Sequence, residues 1–248
     1  MLVALDPEGD RVVAERGLRR GLDYRCPVCD ERVILKAGSQ VIAHFAHEVR
    51  GDCVAAEESR RHLAAKKLLA DRLTELGLRV TLEAILSRSR RADLLVEDDH
   101  GTRFTIEIQD SPISPDDMKA RERSDRGAGC VATCWIFTSN RVAASAWEHD
   151  PTGAAPEVRF PNEMRYRWNA THLPVIVLRL EERRLYGMRL APIDRPGSEW
   201  YDSQASLQSS MDYRLRSTFA VDVQALSFTP QVVRGRYDRL HVTFEAGG

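Results

Sequence analysis

Apolar and polar residues alternate with a period of two along two neighbouring stretches, and that alternation predicts two β-strands. In the first, Ala92, Leu94 and Val96 alternate with Asp93, Leu95 and Glu97. In the second, Phe104, Ile106 and Ile108 alternate with Thr105, Glu107 and Gln109. Between them Asp99-His100-Gly101 reads as a three-residue hairpin loop with its glycine in the left-handed conformation. This register sets Asp93 directly opposite Glu107, and Gln109, two residues further on, points to the same side. Two carboxylates crowded on one face repel each other unless a cation lies between them, and hard oxygen ligands favour magnesium or manganese. An exposed hairpin face with ordinary solvated acids has the same pattern.

Around this hairpin the period changes. From Glu57 to Leu76 it is helical, with Leu69, Leu73 and Leu76 at spacings of three and four. Continued backward, the stripe reaches Lys66, His62 and Glu58, so the expected helix borders a site with its first turns and enters the core with its last. Glu58 is a candidate third carboxylate or water-positioning group, the alternative being a solvated helix end. Gly77 ends the helix, and Leu78 to Leu86 reads as a strand. Arg88, Arg90 and Arg91 form a basic edge suited to phosphate oxygens, or a surface charge cluster. After the hairpin come a proline-rich loop and a charged helix from Met118 bearing Lys119, Arg121, Arg123 and Arg126. The apolar run from Cys130 to Thr138 reads as a strand buried on both faces, with Cys130 and Cys134 in the core. A short helix is expected over residues 141–149. This order of elements predicts an α/β core with a mixed sheet flanked by helices.

Upstream, a small hairpin over Met1 to Leu22 precedes Cys26-x2-Cys29, followed by His44, His47 and Cys53. Two thiolates on one tight turn and a second pair arriving after a strand hairpin suit a tetrahedral zinc site. The expected ligands are Cys26, Cys29, His47 and Cys53, with His44 an alternative ligand or a hydrogen-bonding partner. Four protein ligands close such a site, which implies a structural zinc. Downstream of Asp150 a proline- and alanine-rich stretch suggests a boundary. Beyond it lie a hairpin turning at Glu181-Glu182-Arg183, a polar stretch with weak helical periodicity from Trp200 to Thr218, and three strand-like segments. Tyr166, Trp168, Tyr186 and Trp200 suit a small β-rich core, or base stacking. The expected domains are a zinc module over 1–56, a core over 57–149 and a β-rich region over 150–248.

Composition narrows the partners. With 36 basic and 37 acidic residues in 248, no global basic field marks a nucleic-acid partner, so any such partner is held by a local patch. The opening MLVALDPEGD does not read as a signal peptide, and no run approaches the roughly 20 apolar residues of a membrane span, so a cytoplasmic location without a membrane partner is expected. Five cysteines in that compartment point to metal binding or packing rather than disulfides.

Read in order, CPVC, VILKAG, HFAH, ESRRHLAAKKLL, RRADLL, EIQDSPIS, a charged helix with RER, and CWIF resemble the competence protein CoiA-like family over Tyr24 to Trp147. The core resembles the restriction-endonuclease-like, or PD-(D/E)xK, nucleases, with Gln109 where their lysine usually stands. The resemblance implies a restriction-endonuclease-like core preceded by a zinc-binding β-hairpin module and followed by a β-rich C-terminal region. It implies Asp93, Glu107 and Gln109 as the catalytic constellation, faced by Glu58, His62 and Lys66. Asp93, Glu107 and the Ile108 carbonyl would hold magnesium or manganese, with Lys66 a candidate substitute for the missing lysine. The implied function is metal-dependent DNA hydrolysis in competence, recombination or foreign-DNA defence. DNA in single-stranded, duplex or branched form is the expected partner, with other DNA-processing proteins or a second copy of the chain as further candidates. The alternatives are a catalytically inactive DNA-binding or recombination-assisting protein, and a metal-binding adaptor that contacts another protein through the β-rich C-terminal part.

Overall fold

The computed structural model describes residues 1–49, 53, 58–142, 157–158, 160–193, 199–201, 207–209, 212–235 and 239–244. The helix expected over 141–149 and the first helical residue expected, Glu57, lie outside them, apart from Arg141 and Val142, which end a 3-10 turn. The chain divides into two compact units, Met1–Asp110 with Arg121–Cys134, and Ser111–Ala120 with Trp135–Gly248.

The first unit opens with a five-stranded sheet of β1 (Val3–Leu5), β2 (Arg11–Val13), β3 (Tyr24–Arg25), β4 (Arg32–Lys36) and β5 (His44–His47), in the order β2-β1-β3-β4-β5. The strand hairpin expected between the two ligand pairs is β4 with β5, where His44 pairs with Lys36. Its core gathers Ala4, Tyr24, Cys26, Val33 and Phe45. Helix α1 (Arg60–Glu75) buries Leu69 and Leu73 of the expected stripe and Leu63 besides, while Leu76 is half-buried. Leu76 caps its end, where the Gly77 N–H bonds to the Thr74 carbonyl and the Leu78 N–H to Leu73, with Gly77 at φ +86. Glycine takes that left-handed turn without the steric cost a side chain would bring. Next come β6 (Arg79–Ser87), β7 (Arg90–Glu97) and β8 (Arg103–Gln109), each antiparallel to its neighbour in sequence. Leu94 pairs with Ile106 and Glu97 with Arg103, the register that continues to Asp93 opposite Glu107. The Asp98 N–H bonds to the Thr102 carbonyl and the Gly101 N–H to Asp98, closing the three-residue loop with Gly101 at φ +77. Ala92, Leu94 and Val96 are sealed from solvent as the alternation requires. On β8, however, Thr105, Glu107 and Gln109 are buried as well, so this face of the hairpin is internal rather than solvated.

Helix α2 (Pro115–Gly127) begins earlier than Met118. Ser114 accepts a hydrogen bond from the Asp117 N–H, and Pro115 occupies the first helical position, where its missing N–H costs nothing. Strand β9 (Thr133–Thr138) is buried along its whole length, as a nearly continuous apolar run implies.

In the second unit β10 (Glu157–Val158) is followed by α3 (Asn162–Thr171), then β11 (Val175–Arg179) and β12 (Arg184–Ile193). The hairpin turns where expected, with Arg183 left-handed at φ +52. Next come β13 (Glu199–Tyr201), β14 (Leu207–Ser209), β15 (Asp212–Asp222), β16 (Pro230–Arg234) and β17 (Leu240–Phe244). The weak helical periodicity of residues 200–218 gives way to strand. Here β15 runs antiparallel to β12 from Arg184 opposite Asp222 to Ile193 opposite Asp212, and this long ladder overrides local preference. The sheet that contains β9, β11 and β12 is mixed, since β11 pairs in parallel with β9 and antiparallel with β12. Trp135, Phe137, Met164, Val175, Val177 and Met188 lead the core of this unit, with Tyr166 and Trp168 packed against it. Among the described residues, no helix is long and apolar enough to cross a membrane.

Candidate functional site

Two groups of ligand-type side chains form in the first unit. The first follows from the hairpin of β4 and β5. Cys26 directly follows β3, Cys29 lies three residues on in the turn, and His47 ends β5. With Cys53, their ligand atoms lie within 4.8 Å of one another. The Cys26 and Cys53 sulfurs are 3.9 Å apart, and the Cys29 sulfur is 3.3 Å from His47 Nε2. A tetrahedral ion with Zn–S about 2.3 Å and Zn–N about 2.0 Å sets those edges at about 3.8 and 3.5 Å. The donor set and its spacing therefore fit a metal such as zinc. Burial pushes the Cys26 thiol up to about 12, and a metal binding there would displace the thiol proton. Burial also lowers the His47 pKa, favouring the neutral imidazole a ligand needs. His44 is not part of the group; its Nδ1 lies 2.9 Å from the Ile42 carbonyl.

The second group forms where α1 meets β7. Ser59 caps the helix by accepting from the His62 N–H at 3.0 Å, and its own hydroxyl donates to Asp110, just past β8. Asp110 also holds Arg61 at 3.2 Å, so the helix start is fixed to the strand end. Because Ser59 is the cap, Glu58 stands before the helix rather than in its first turn. His62 Nε2 lies 3.0 Å from Asp93 Oδ2, which also accepts the Ile108 N–H at 2.9 Å. Glu58, His62 and Asp93 bring their ligand atoms within 4.8 Å of one another. Two carboxylates and an imidazole form a donor set that fits a divalent cation, and the nitrogen suits manganese better than magnesium.

One turn further along α1, Lys66 is sealed from solvent. It donates to Glu58 at 2.7 Å and Glu83 at 2.6 Å, and lies 3.9 Å from Asp93. Arg91 reaches the same two glutamates, at 2.8 Å to Glu58 and 3.3 Å to Glu83. Glu83 also accepts the backbone N–H groups of Leu2 at 2.6 Å and Val3 at 3.3 Å. Its φ of +50 is uncommon for a residue with a side chain and lies next to the buried cluster.

Glu107 faces different partners. It takes Arg90 at 2.9 Å, Arg121 at 2.8 Å and the Asp93 N–H at 3.2 Å. Arg90 is also clamped by Asp125, whose carboxylate receives Thr105 and Thr133 hydroxyls as well. As placed, Glu107 lies outside the metal-capable groups among the described residues, Ile108 meets Asp93 through its N–H, and Gln109 is buried at the end of β8. Arg90 and Arg91 serve internal ion pairs, so of the expected basic edge only Arg88 is exposed.

These contacts push the two hairpin acids in opposite directions. Burial opposes ionisation of Asp93, but His62, Lys66 and the Ile108 N–H outweigh it and hold Asp93 well below the usual carboxylate range. Burial and the charge of Asp93 raise Glu107 above it, against Arg90 and Arg121. Burial would also lower Lys66 and His62, yet the surrounding acids raise both. Lys66 is therefore an ammonium and not a general base.

Sequence reasoning missed Glu83, Asp110 and Asp125. A lone acid in an apolar strand, the aspartate directly after Glu-x-Gln and an acid one helical turn from Arg121 were the available signals.

Two family models match the chain: competence protein CoiA, N-terminal domain, over residues 11–56, and competence protein CoiA, nuclease-like domain, over residues 58–151. The chain belongs to the competence protein CoiA family. The Cys3His group falls in the span of its N-terminal domain, and His62, Asp93 and Glu107 fall in that of its nuclease-like domain. Comparison with curated proteins and with solved structures gave no match. The nuclease-like domain of this CoiA family member points to a nuclease-related role in competence.

Proposed function

We propose that this chain is a metal-dependent DNA nuclease with a restriction-endonuclease-like core, hydrolysing phosphodiester bonds during DNA processing. The observation that carries the reading is the meeting of Glu58, His62 and Asp93 inside the span matched by a nuclease-like family domain. These three residues would hold manganese or magnesium, which when bound acts as a Lewis acid toward the phosphate and lowers the pKa of a water. The residues of the chain prepare the place. Lys66 and Arg91 fix Glu58 through ion pairs, while the Ile108 N–H orients the Asp93 carboxylate. Gln109 has an amide that can orient water or phosphate by hydrogen bonding but cannot take a proton at neutral pH. Cys26, Cys29, His47 and Cys53 would hold zinc in a structural role.

The test is incubation of purified protein with single-stranded, duplex and branched DNA, with magnesium or manganese. Cleavage that disappears in Asp93→Ala and His62→Ala supports the reading; undiminished cleavage in both variants refutes it. A second reading, a non-catalytic DNA-binding protein, is favoured by the engagement of Glu107 with Arg90 and Arg121. It predicts DNA binding without cleavage for every substrate and metal.

A further inference from the structure

Glu107 and its two arginines divide the charge unequally. Arg90 is 6% exposed, and Asp125 claims it through two contacts, Nε at 2.7 Å and Nη2 at 2.9 Å. Asp125 is itself completed by the Thr105 and Thr133 hydroxyls, each at 2.7 Å. Arg90 thus divides its charge between Asp125 and Glu107, to which Nη2 also donates at 2.9 Å, and Glu107 takes its second cation from Arg121. That residue is built differently. Its side chain is 44% exposed while Glu107 is 2% exposed, and it touches Glu107 through Nη1 alone, at 2.8 Å. A guanidinium offers five N–H donors in a planar fork, so one contact to Glu107 leaves donors of this partly exposed side chain for a ligand. Arg123 and Arg126 are exposed on the same helix.

We propose that Arg121 binds a phosphate of the DNA backbone, and that in the free protein the Glu107 carboxylate holds that phosphate's place. The proposal rests on the DNA-directed reading above and names the residue through which the strand is gripped. Arg121 exchanges one anion for another, so its positive charge is balanced in both states. An arginine kept in place by a buried acid is pre-oriented for the incoming phosphate, which lowers the ordering cost of binding.

The test is fluorescence anisotropy of labelled 20-nucleotide single-stranded and duplex DNA across a salt series, without added magnesium or manganese. It uses the zinc-loaded full chain and the variants Arg121→Gln, Arg121→Lys and Lys67→Gln. Losing one phosphate contact makes the slope of log affinity against log salt shallower by about 0.7 for single strands and about 0.9 for duplex. Arg121→Gln should show that change together with a several-fold loss of affinity. Arg121→Lys should keep the slope, because it keeps a charge at the phosphate. Lys67→Gln, which removes an equal charge paired with Asp71 on α1, should leave the slope alone. Should Arg121→Gln fail to fold, Arg121→Gln with Glu107→Gln removes both members of the pair and should give the same slope. An unchanged slope in the Arg121→Gln protein, or an equal change in Lys67→Gln, overturns the proposal. Wild type that cleaves DNA while Arg121→Gln keeps its slope overturns the Arg121 role alone. Wild type that shows the Arg121 dependence yet cleaves nothing overturns the catalytic reading alone.

Discussion

Replacing Lys66 by methionine should destabilise the first unit by about 3 kcal/mol, because it leaves two buried carboxylates facing each other without their shared ammonium. Breaking a buried ion pair by removing one partner typically costs about 3 to 5 kcal/mol. The lower end applies here, since Arg91 still contacts both Glu58 and Glu83, and Glu83 still accepts two backbone N–H groups. The assay must report on this unit, and tryptophan fluorescence does not, because no tryptophan lies before residue 135. Hydrogen exchange of peptides spanning α1 and β6, followed by mass spectrometry, does. A loss of 3 kcal/mol corresponds to a fall of roughly 150-fold in protection. Lys66→Met combined with Glu83→Gln should recover at least about 1 kcal/mol, as residues in direct contact couple. A loss below about 1 kcal/mol for Lys66→Met, or strict additivity in the double variant, would show that the cluster is not held by this ammonium.

Three further outcomes follow from the same geometry. Metal analysis after mild chelation and reloading should find one equivalent of zinc fewer in His47→Ala and Cys29→Ser than in wild type, with His44→Ala unaffected, since His44 lies outside the cluster. Asp125→Ala should cost about 3 kcal/mol by urea denaturation followed by circular dichroism, because it leaves Arg90 with Glu107 alone and strands two buried threonine hydroxyls. Acid should weaken the fold: Glu83 resists protonation because Lys66 and Arg91 outweigh its burial, and Asp93 does so through His62 and Lys66. Their stabilisation is complete above the ordinary carboxylate pKa of about 4 and lost as pH falls below it. Glu107, raised by burial, works in the opposite sense, taking up a proton in the folded state at pH above the ordinary glutamate pKa of about 4.3, so Glu107→Gln should show a steeper fall of urea midpoint as pH drops toward that value.

The features that could be read in the chain were those whose signal is local. The hairpin of β7 and β8 follows from strict alternation and one glycine, and the Cys3His group from Cys-x2-Cys with His47 and Cys53 close behind. Glu83 could not be read this way. In VTLEAILS it looks like the solvent side of a half-buried strand, and only the distant Lys66, Arg91 and β1 reveal it as the centre of a buried cluster. Arg90 and Arg91 looked like a surface charge run because sequence does not show which cation a buried acid will claim. Helix α3 was passed over because its apolar residues are few, although Pro161 and Glu163 are sound signals for a helix start. The β15 strand depends on its ladder with β12, a partner that no local pattern announces.

The hydrogen bonds from Leu2 and Val3 to Glu83 reach across about 80 residues of chain. During synthesis, then, the sheet that carries the Cys3His group completes the bonds at the start of its first strand only after β6 has left the ribosome. Until that moment the N–H groups of Leu2 and Val3 lack their carboxylate acceptor. At about 5 to 20 residues per second this interval lasts several seconds or more, long enough for chaperones or early metal loading to decide how much of the chain folds productively.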